Sequence, residues 1–432
     1  MEARGIETEV DDLFRRHAGR IVAALTHVAG LGHLDLAEDA VQDAMIQALR
    51  RWPFQGVPDN PEGWLFRVAR NRASDRLRRR ALWRRKAAEL AASVASLQPP
   101  PPALHPRLAG EVEDDRLRMM FACCHPVLSR DAQVALTLKV VCAFSVDETA
   151  RAFLTTRPAM AQRLVRAKRR LRDGGVALEL PGAASLSPRL DAVLEAIYLL
   201  FNEGYAASEG EDLIRWDLCR EAVRLAELVC RHPLTAQPKA HALAALLLLQ
   251  AARLPGRLDA EGELVLLAEQ DRSRWDRVAG NRGLAHLEAS ARGDELSTYH
   301  LEAEIAACHT LATSWEATDW RRIVGAYDVL LEHNPSPVVA VNRAVALARV
   351  EGPKAGLAAL GHWRTAIPVD YLPARVAHGA LAAEAGRDAE AIASFERALA
   401  LAPRPATRRY LERRLAELGR PRPTGSGDEA RA

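Results

Sequence analysis

Four consecutive prolines, Pro99, Pro100, Pro101 and Pro102, stand inside an Ala/Ser/Pro stretch covering residues 91–106. No helix or sheet ladder can run through them, because proline lacks the backbone N–H and its ring clashes with the preceding turn. A polyproline-type connector over 87–112 is the expectation, so the chain on either side must fold as separate modules. Both flanks carry helical rather than strand-like patterning.

Residues 8–86 read as the first helical module. Val10, Leu13, Phe14, Ile21 and Leu25 recur at helical spacing, and Gly30 and Gly32 end that helix. Asp35 with Glu38 three residues on fits a capping box for a second helix. Its apolar stripe is Ala40, Val41, Ala44, Met45, Ala48 and Leu49, and its expected outer face carries Glu38, Asp39, Gln42 and Asp43. Pro53, Gly56, Pro58 and Pro61 call for a loop. Asn60 can then cap a third helix that has Pro61 at its first position.

Residues 113–175 read as the second module. One helix must stop before Pro126, another starts after Ser129, and two short helices follow around Thr155 and Thr156. The last, RPAMAQRLVRAKRRLR, is strongly basic, and the pair matches a helix-turn-helix. On it Ala159, Met160, Leu164 and Leu171 are expected to face the core, with Gln162, Arg163 and Arg166 outward. Spacing alone does not choose which of these three reads bases.

Residues 188–418 show no strand-like alternation. Gly379, Ala391, Phe395, Ala398 and Pro403 fall at tetratricopeptide offsets, and Pro335, Pro368 and Pro403 lie 33 and 35 residues apart, a period that fits stacked helical hairpins. The tail, 419–432, is rich in Pro, Gly and charge, and is expected to be disordered. The overall expectation is an all-α chain, since apolar residues make up 49% of it but aromatics only 5%.

Charge separates the two halves. Residues 1–180 carry 29 basic and 22 acidic side chains, against 30 and 34 in the remainder. Arg67, Arg70, Arg72 and Arg76 lead a run of ten cations over 67–86, with Asp75 the one acid. Arg157, Arg163, Arg166 and Lys168 belong to a run of seven over 157–172, with no acid. Two such helices point to nucleic-acid phosphate and to salt-sensitive binding. The opening MEARGIETEV lacks the apolar core of a signal peptide, and apolar runs such as residues 242–249 are too short to span a bilayer. Six cysteines make no disulfide framework, so a cytosolic chain without membrane contact is expected.

These residues resemble the extracytoplasmic-function sigma factors of the sigma-70 family. AEDAVQDAMIQALRRW resembles their polymerase-docking helix, PEGWLFRVARNRASDRLRRR their −10 helix, and SVDETARAFLTTRPAMAQRLVRAKRRLR their −35 helix-turn-helix. In the last, Gln162 stands where the family usually has Ser. FACCHP (121–126), FNEGY (201–205), EQDR (269–272), TDW (318–320) and NPSPVVAVNRAVA (334–346) resemble a subgroup with a tetratricopeptide-like C-terminal extension. The resemblance implies core RNA polymerase and promoter DNA as partners. Glu38, Asp39, Gln42 and Asp43 would meet the polymerase. Asn60, Arg67, Arg70, Asn71, Arg72 and Arg76 would meet the melted −10 region, with residues 56–60 cradling a flipped base. Thr156, Arg157, Gln162, Arg163, Arg166 and Lys168 would meet the −35 element. The C-terminal region would regulate or support these modules, with contact to them inside the chain.

No catalytic, cofactor or metal site is expected. Cys123, Cys124 and His125 lack a second ligand pair at zinc spacing. Glu269, Asp271, Asp276 and Glu302 lack the motifs of a catalytic carboxylate site. The alternative reading is a helix-turn-helix repressor or activator with a repeat-domain sensor, which needs no polymerase-docking helix. A third is a repeat scaffold with incidental basic helices.

Overall fold

In the computed structural model the described residues are 2–91, 109–153, 155–178, 183–206, 213–260, 262–363, 367–368, 370–402 and 405–419. Among them the regular structure is helical, with one isolated bridge between Leu258 and Leu264. The connector's central part, 92–108, and the tail from 420 onward lie outside the described residues. The chain divides into two compact units, Met1–Ala244 and Ala245–Ala432.

The first unit opens with α1 (Glu2–Ala29), α2 (Leu34–Gln55) and α3 (Pro61–Ala91). Asn60 caps α3 as expected, its Oδ1 accepting from Gly63 N at 2.8 Å. The capping box at Asp35 does not form. His33 holds the N-cap position after a short 3-10 turn, and the two carboxylates are drawn elsewhere, to Lys168. Pro53 is absorbed into the last turn of α2, and Gly56 ends that helix with φ 76°. Ala40, Val41, Ala44, Met45 and Ala48 are buried, but Trp52 takes the place expected of Leu49, which is exposed.

Four helices follow: α4 (Ala109–Cys123), α5 (Arg130–Val140), α6 (Val146–Ala152) and α7 (Arg157–Asp173). The short α6 is held by a complete capping box, Ser145 with Glu148. Such a cap contributes about 1 kcal/mol, a large share for so brief a helix. Thr156 caps α7, accepting from Ala159 N. Met160, Leu164, Ala167 and Leu171 form the buried stripe of α7. Ala159, expected inside, is exposed, because the stripe follows the 160/164/167/171 spacing and leaves residue 159 one side step away.

The unit is completed by α8 (Ala183–Tyr205), α9 (Trp216–Arg231) and the start of α10 (Pro238–Ala252). The FNEGY segment is the end of α8. Phe201 and Tyr205 stack with ring centroids 5.7 Å apart. Gly204 lets α9 approach so closely that a Cβ there would lie 2.8 Å from Cys219 N.

The second unit holds α11 (Arg277–Ser290), α12 (Thr298–Leu311), α13 (Trp320–His333), α14 (Pro337–Glu351), α15 (Pro353–His362), α16 (Leu372–Glu384), α17 (Asp388–Leu401) and α18 (Pro405–Leu418). Residues 253–276 are largely irregular rather than a continuation of the helical stack. Here the EQDR and TDW segments meet. Arg272 donates to His309 O at 2.6 Å and Ala312 O at 2.7 Å, and its other nitrogen reaches Thr318 Oγ1. Asp271 and Asp276 cap helices, accepting from Ser273 N and from Val278 and Ala279 N, so neither is placed as a catalytic acid. Further on, Phe395, Ala391, Ala398 and Leu411 form a dry core with Leu381 and Ala382. The Phe395 ring sits over Gly379, where a Cβ would fall 2.8 Å from Cε1.

Candidate nucleic-acid interface

The exposed face of α7 is the clearest surface for a polyanion. Gln162, Val165, Arg166 and Arg169 are all exposed along it. Their spacing of three and four residues puts them on one side of the helix, opposite the Met160/Leu164/Ala167/Leu171 stripe. Val165 is 67% exposed, and sequence reasoning passed it over because a valine at helical spacing reads as core. Arg157 is exposed and pairs with Asp147 at 3.2 Å.

Two cations of the same helix are placed otherwise. Arg163 turns back over the Phe153 ring, 5.5 Å from its centroid, and lies 3.5 Å from Asp131. Lys168 reaches across to α2, 3.0 Å from Asp35 and in contact with Glu38. Burial alone would depress the Lys168 pKa, but the two carboxylates outweigh it and raise it. Glu38, expected on the outer face of α2, is therefore buried, because the second module packs over it.

The first module presents the other basic face. Arg67, Asn71 and Arg72 are exposed on α3, and Arg70 is half-buried. Arg76 is half-buried and spans to α2, 2.9 Å from Asp39 and 2.7 Å from Asp43. One arginine of the basic helix thus holds both acids of the face that also carries exposed Gln42. Phe54, 89% exposed at the end of α2, stands beside the residue 56–60 turn. Glu62, at the start of α3, is tied to α1 by His17 and by Arg20 at 2.9 Å, and these partners lower its pKa.

Cys123 and Cys124 are fully buried, and Cys124 Sγ lies 3.4 Å from Thr137 Oγ1. Burial pushes the Cys124 thiol up to about 12 and the Cys123 thiol well above its ordinary value. Neither is poised as a nucleophile. No described helix is long and apolar enough to cross a membrane.

Residues 13–82 match the family model Sigma-70 region 2, and residues 118–171 match Sigma-70, region 4. Residues 189–291 match a family of unknown function, DUF6596. Uncharacterized protein R00370 of Rhizobium meliloti (strain 1021) is 40% identical over 400 residues, covering 92% of this chain and 94% of that one. No solved structure matches the chain.

Proposed function

The chain belongs to the extracytoplasmic-function sigma factors of the sigma-70 family, with a C-terminal extension, and from that premise we propose how its residues divide the work of promoter recognition. Sigma-70 regions 2 and 4 make it a factor for promoter-directed transcription, with core RNA polymerase and promoter DNA as partners. The chemistry of RNA synthesis then belongs to the polymerase. The observation that carries the finer reading is the pair of basic helices, α3 and α7, each capped and each anchored by a separate apolar stripe.

The reading puts α3 on the melted −10 strand through Arg67, Arg70, Asn71, Arg72 and Arg76, with Asn60 and the 56–60 turn receiving an unstacked base. It puts the exposed face of α7 in the −35 major groove. Arg166 and Gln162 suit guanine and adenine edges and Thr156, Arg157 and Arg163 flank the groove, while Lys168 is engaged by Asp35 and Glu38 of α2. Asp39, Gln42 and Asp43 form the polymerase-facing side of α2, while Glu38 is buried against Lys168. The tetratricopeptide-like helices of the C-terminal region regulate or support these modules.

Run-off transcription with core polymerase, the full-length chain and a promoter library tests this. Transcripts that require the chain and share a −35/−10 pattern support it. Their absence, together with no complex between chain and core polymerase, overturns it. Asp39→Arg with Asp43→Arg separates the repressor alternative, since a sigma factor loses polymerase binding while a repressor keeps its operator affinity.

A further inference from the structure

In the second unit, positive charge collects around a buried tryptophan. Arg253, just past the end of α10, and Arg272 both lie over the Trp275 ring, 5.7 and 4.8 Å from its centroid. The segments that carry them are fastened together. Asp276 N donates to Ala252 O at 2.8 Å, and Arg274 Nη1 donates to Leu258 O at 3.1 Å. Gly256 lets the indole edge close on the chain, since a Cβ there would fall 2.9 Å from Trp275 Nε1. His309 of α12 joins the cluster. Its carbonyl accepts from Arg272, and its ring packs on Trp315 and Trp320.

The polar atoms here are not spent on one another. Arg253, Trp275 and His309 are 7%, 8% and 7% exposed. Arg253 Nε, Trp275 Nε1 and His309 Nδ1 are buried without a hydrogen-bond partner. The first two are N–H donors, and the third is a donor in one tautomer. Arg272 is occupied by two carbonyls and the Thr318 hydroxyl, and Arg253 reaches Gln250 Oε1 at 3.4 Å. Among the described residues neither guanidinium pairs with a carboxylate. Elsewhere the chain does pair its buried arginines, Arg116 with Glu221 and Arg215 with Glu148. A guanidinium does not give up its proton, so the charge beside Trp275 remains. Stacking on the indole face offsets part of its desolvation, and a counter-charge would offset the rest.

We propose that Arg253, Trp275 and Arg272 form a binding site for a small oxyanion, a phosphate or a carboxylate group. The Nε edge of Arg253 meets two oxygens of one such group through charge-assisted bonds. Trp275 Nε1–H supplies a further donor. Arg272, held by the His309 and Ala312 carbonyls, supplies a fixed positive charge. Burial and the two arginines keep His309 neutral, so its ring adds a donor without adding charge. The aromatic walls exclude water, which strengthens each of these bonds. The site gives the C-terminal region a chemical input that promoter recognition does not use.

Isothermal titration of the full-length chain with sodium phosphate and with sodium citrate tests the site. Sodium chloride at matched ionic strength is the control. Saturable binding of at least one of the two anions, absent with chloride, is expected. Tighter binding of phosphate assigns a phosphate group, and tighter binding of citrate a carboxylate. Arg253→Met should weaken that binding about tenfold to a hundredfold, the worth of a hydrogen bond to a charged group. Trp275→Phe keeps the ring and removes the N–H, and should weaken binding in the same direction. It is the second variant should the first not fold. No saturable binding of either anion by the unsubstituted chain overturns the proposal. Unchanged affinity in the folded variants also overturns it, and a lower melting temperature with that unchanged affinity marks Arg253 as a structural brace only. Transcription is not a readout here, so failure of this site leaves the sigma-factor reading untouched.

Discussion

The guanidinium of Arg116 and the carboxylate of Glu221, 105 residues apart in sequence, form an ion pair buried between α4 and α9. The same Arg116 nitrogen donates to Val141 O at 2.9 Å. Arg116 Nε and Nη1 find no further partner. Burial pulls the Arg116 pKa down to about 10, against the opposing pull of Glu221. Removing one partner leaves the other charge stranded in a dry site. Glu221→Ala should therefore destabilise the N-terminal unit by about 3–5 kcal/mol. The double substitution Arg116→Met with Glu221→Leu should cost clearly less. Denaturant unfolding of the three proteins checks this, and equal losses for the single and double variants would refute it.

On α7 the exposed residues predict different effects on DNA. Arg166→Ala should lose about 1–3 kcal/mol on the native −35 sequence and relax selectivity at one base pair. Val165→Ala should do the same at a thymine, through loss of contact with its methyl group. Arg169→Ala should weaken all sequences alike and flatten the salt dependence. Binding titrations against single-base variants of the −35 element at two salt concentrations separate these outcomes. Because Arg163 lies over Phe153, its truncation should lower thermal stability as well as affinity.

His309 provides a pH test for the second unit. It is buried beside Trp315 and Trp320. Burial, with the nearby Arg253 and Arg272, lowers its pKa to about 3. An unfolded chain protonates this histidine near its ordinary value of 6.5, and the folded chain resists. The stability it supports is therefore complete above pH 6.5 and is lost progressively as the pH falls towards 3, by about 1.4 kcal/mol per pH unit. His309→Gln should remove this slope. Urea midpoints from pH 7 to pH 4 decide it, and parallel curves for the two proteins would reject the assignment.

Gly379 predicts a packing effect in the same unit. A side chain there has no room under the Phe395 ring. Gly379→Val should cost about 1–3 kcal/mol through overpacking, and Phe395→Ala about 3–5 kcal/mol through the cavity it leaves. Gly325, where a Cβ would meet no atom within 4 Å, is the control site. Gly325→Ala should be neutral or stabilising, as expected for alanine within α13. Thermal melts of the three variants test the contrast.

Much of the helical layout could be read from the chain alone. Helix order in both modules, the cap at Asn60, the basic character of α3 and α7 and the family itself follow from local signals. Periodicity, capping and charge runs act over a few residues, so they are written into consecutive sequence. The same locality explains the errors. Asp35 and Glu38 have capping-box spacing, but a lysine 130 residues away from Glu38 competes for them and wins.

What only the tertiary structure decided is which charged groups face solvent and which face each other. Composition determined that the chain is helical and that two of its helices are cationic. It could not show that Lys168 covers Glu38, that Arg76 bridges Asp39 and Asp43, or that Gly19 meets Val141. Those pairings depend on how the helices dock on one another. The docking is set by close packing and buried ion pairs between distant segments, interactions that leave no periodic trace in the sequence.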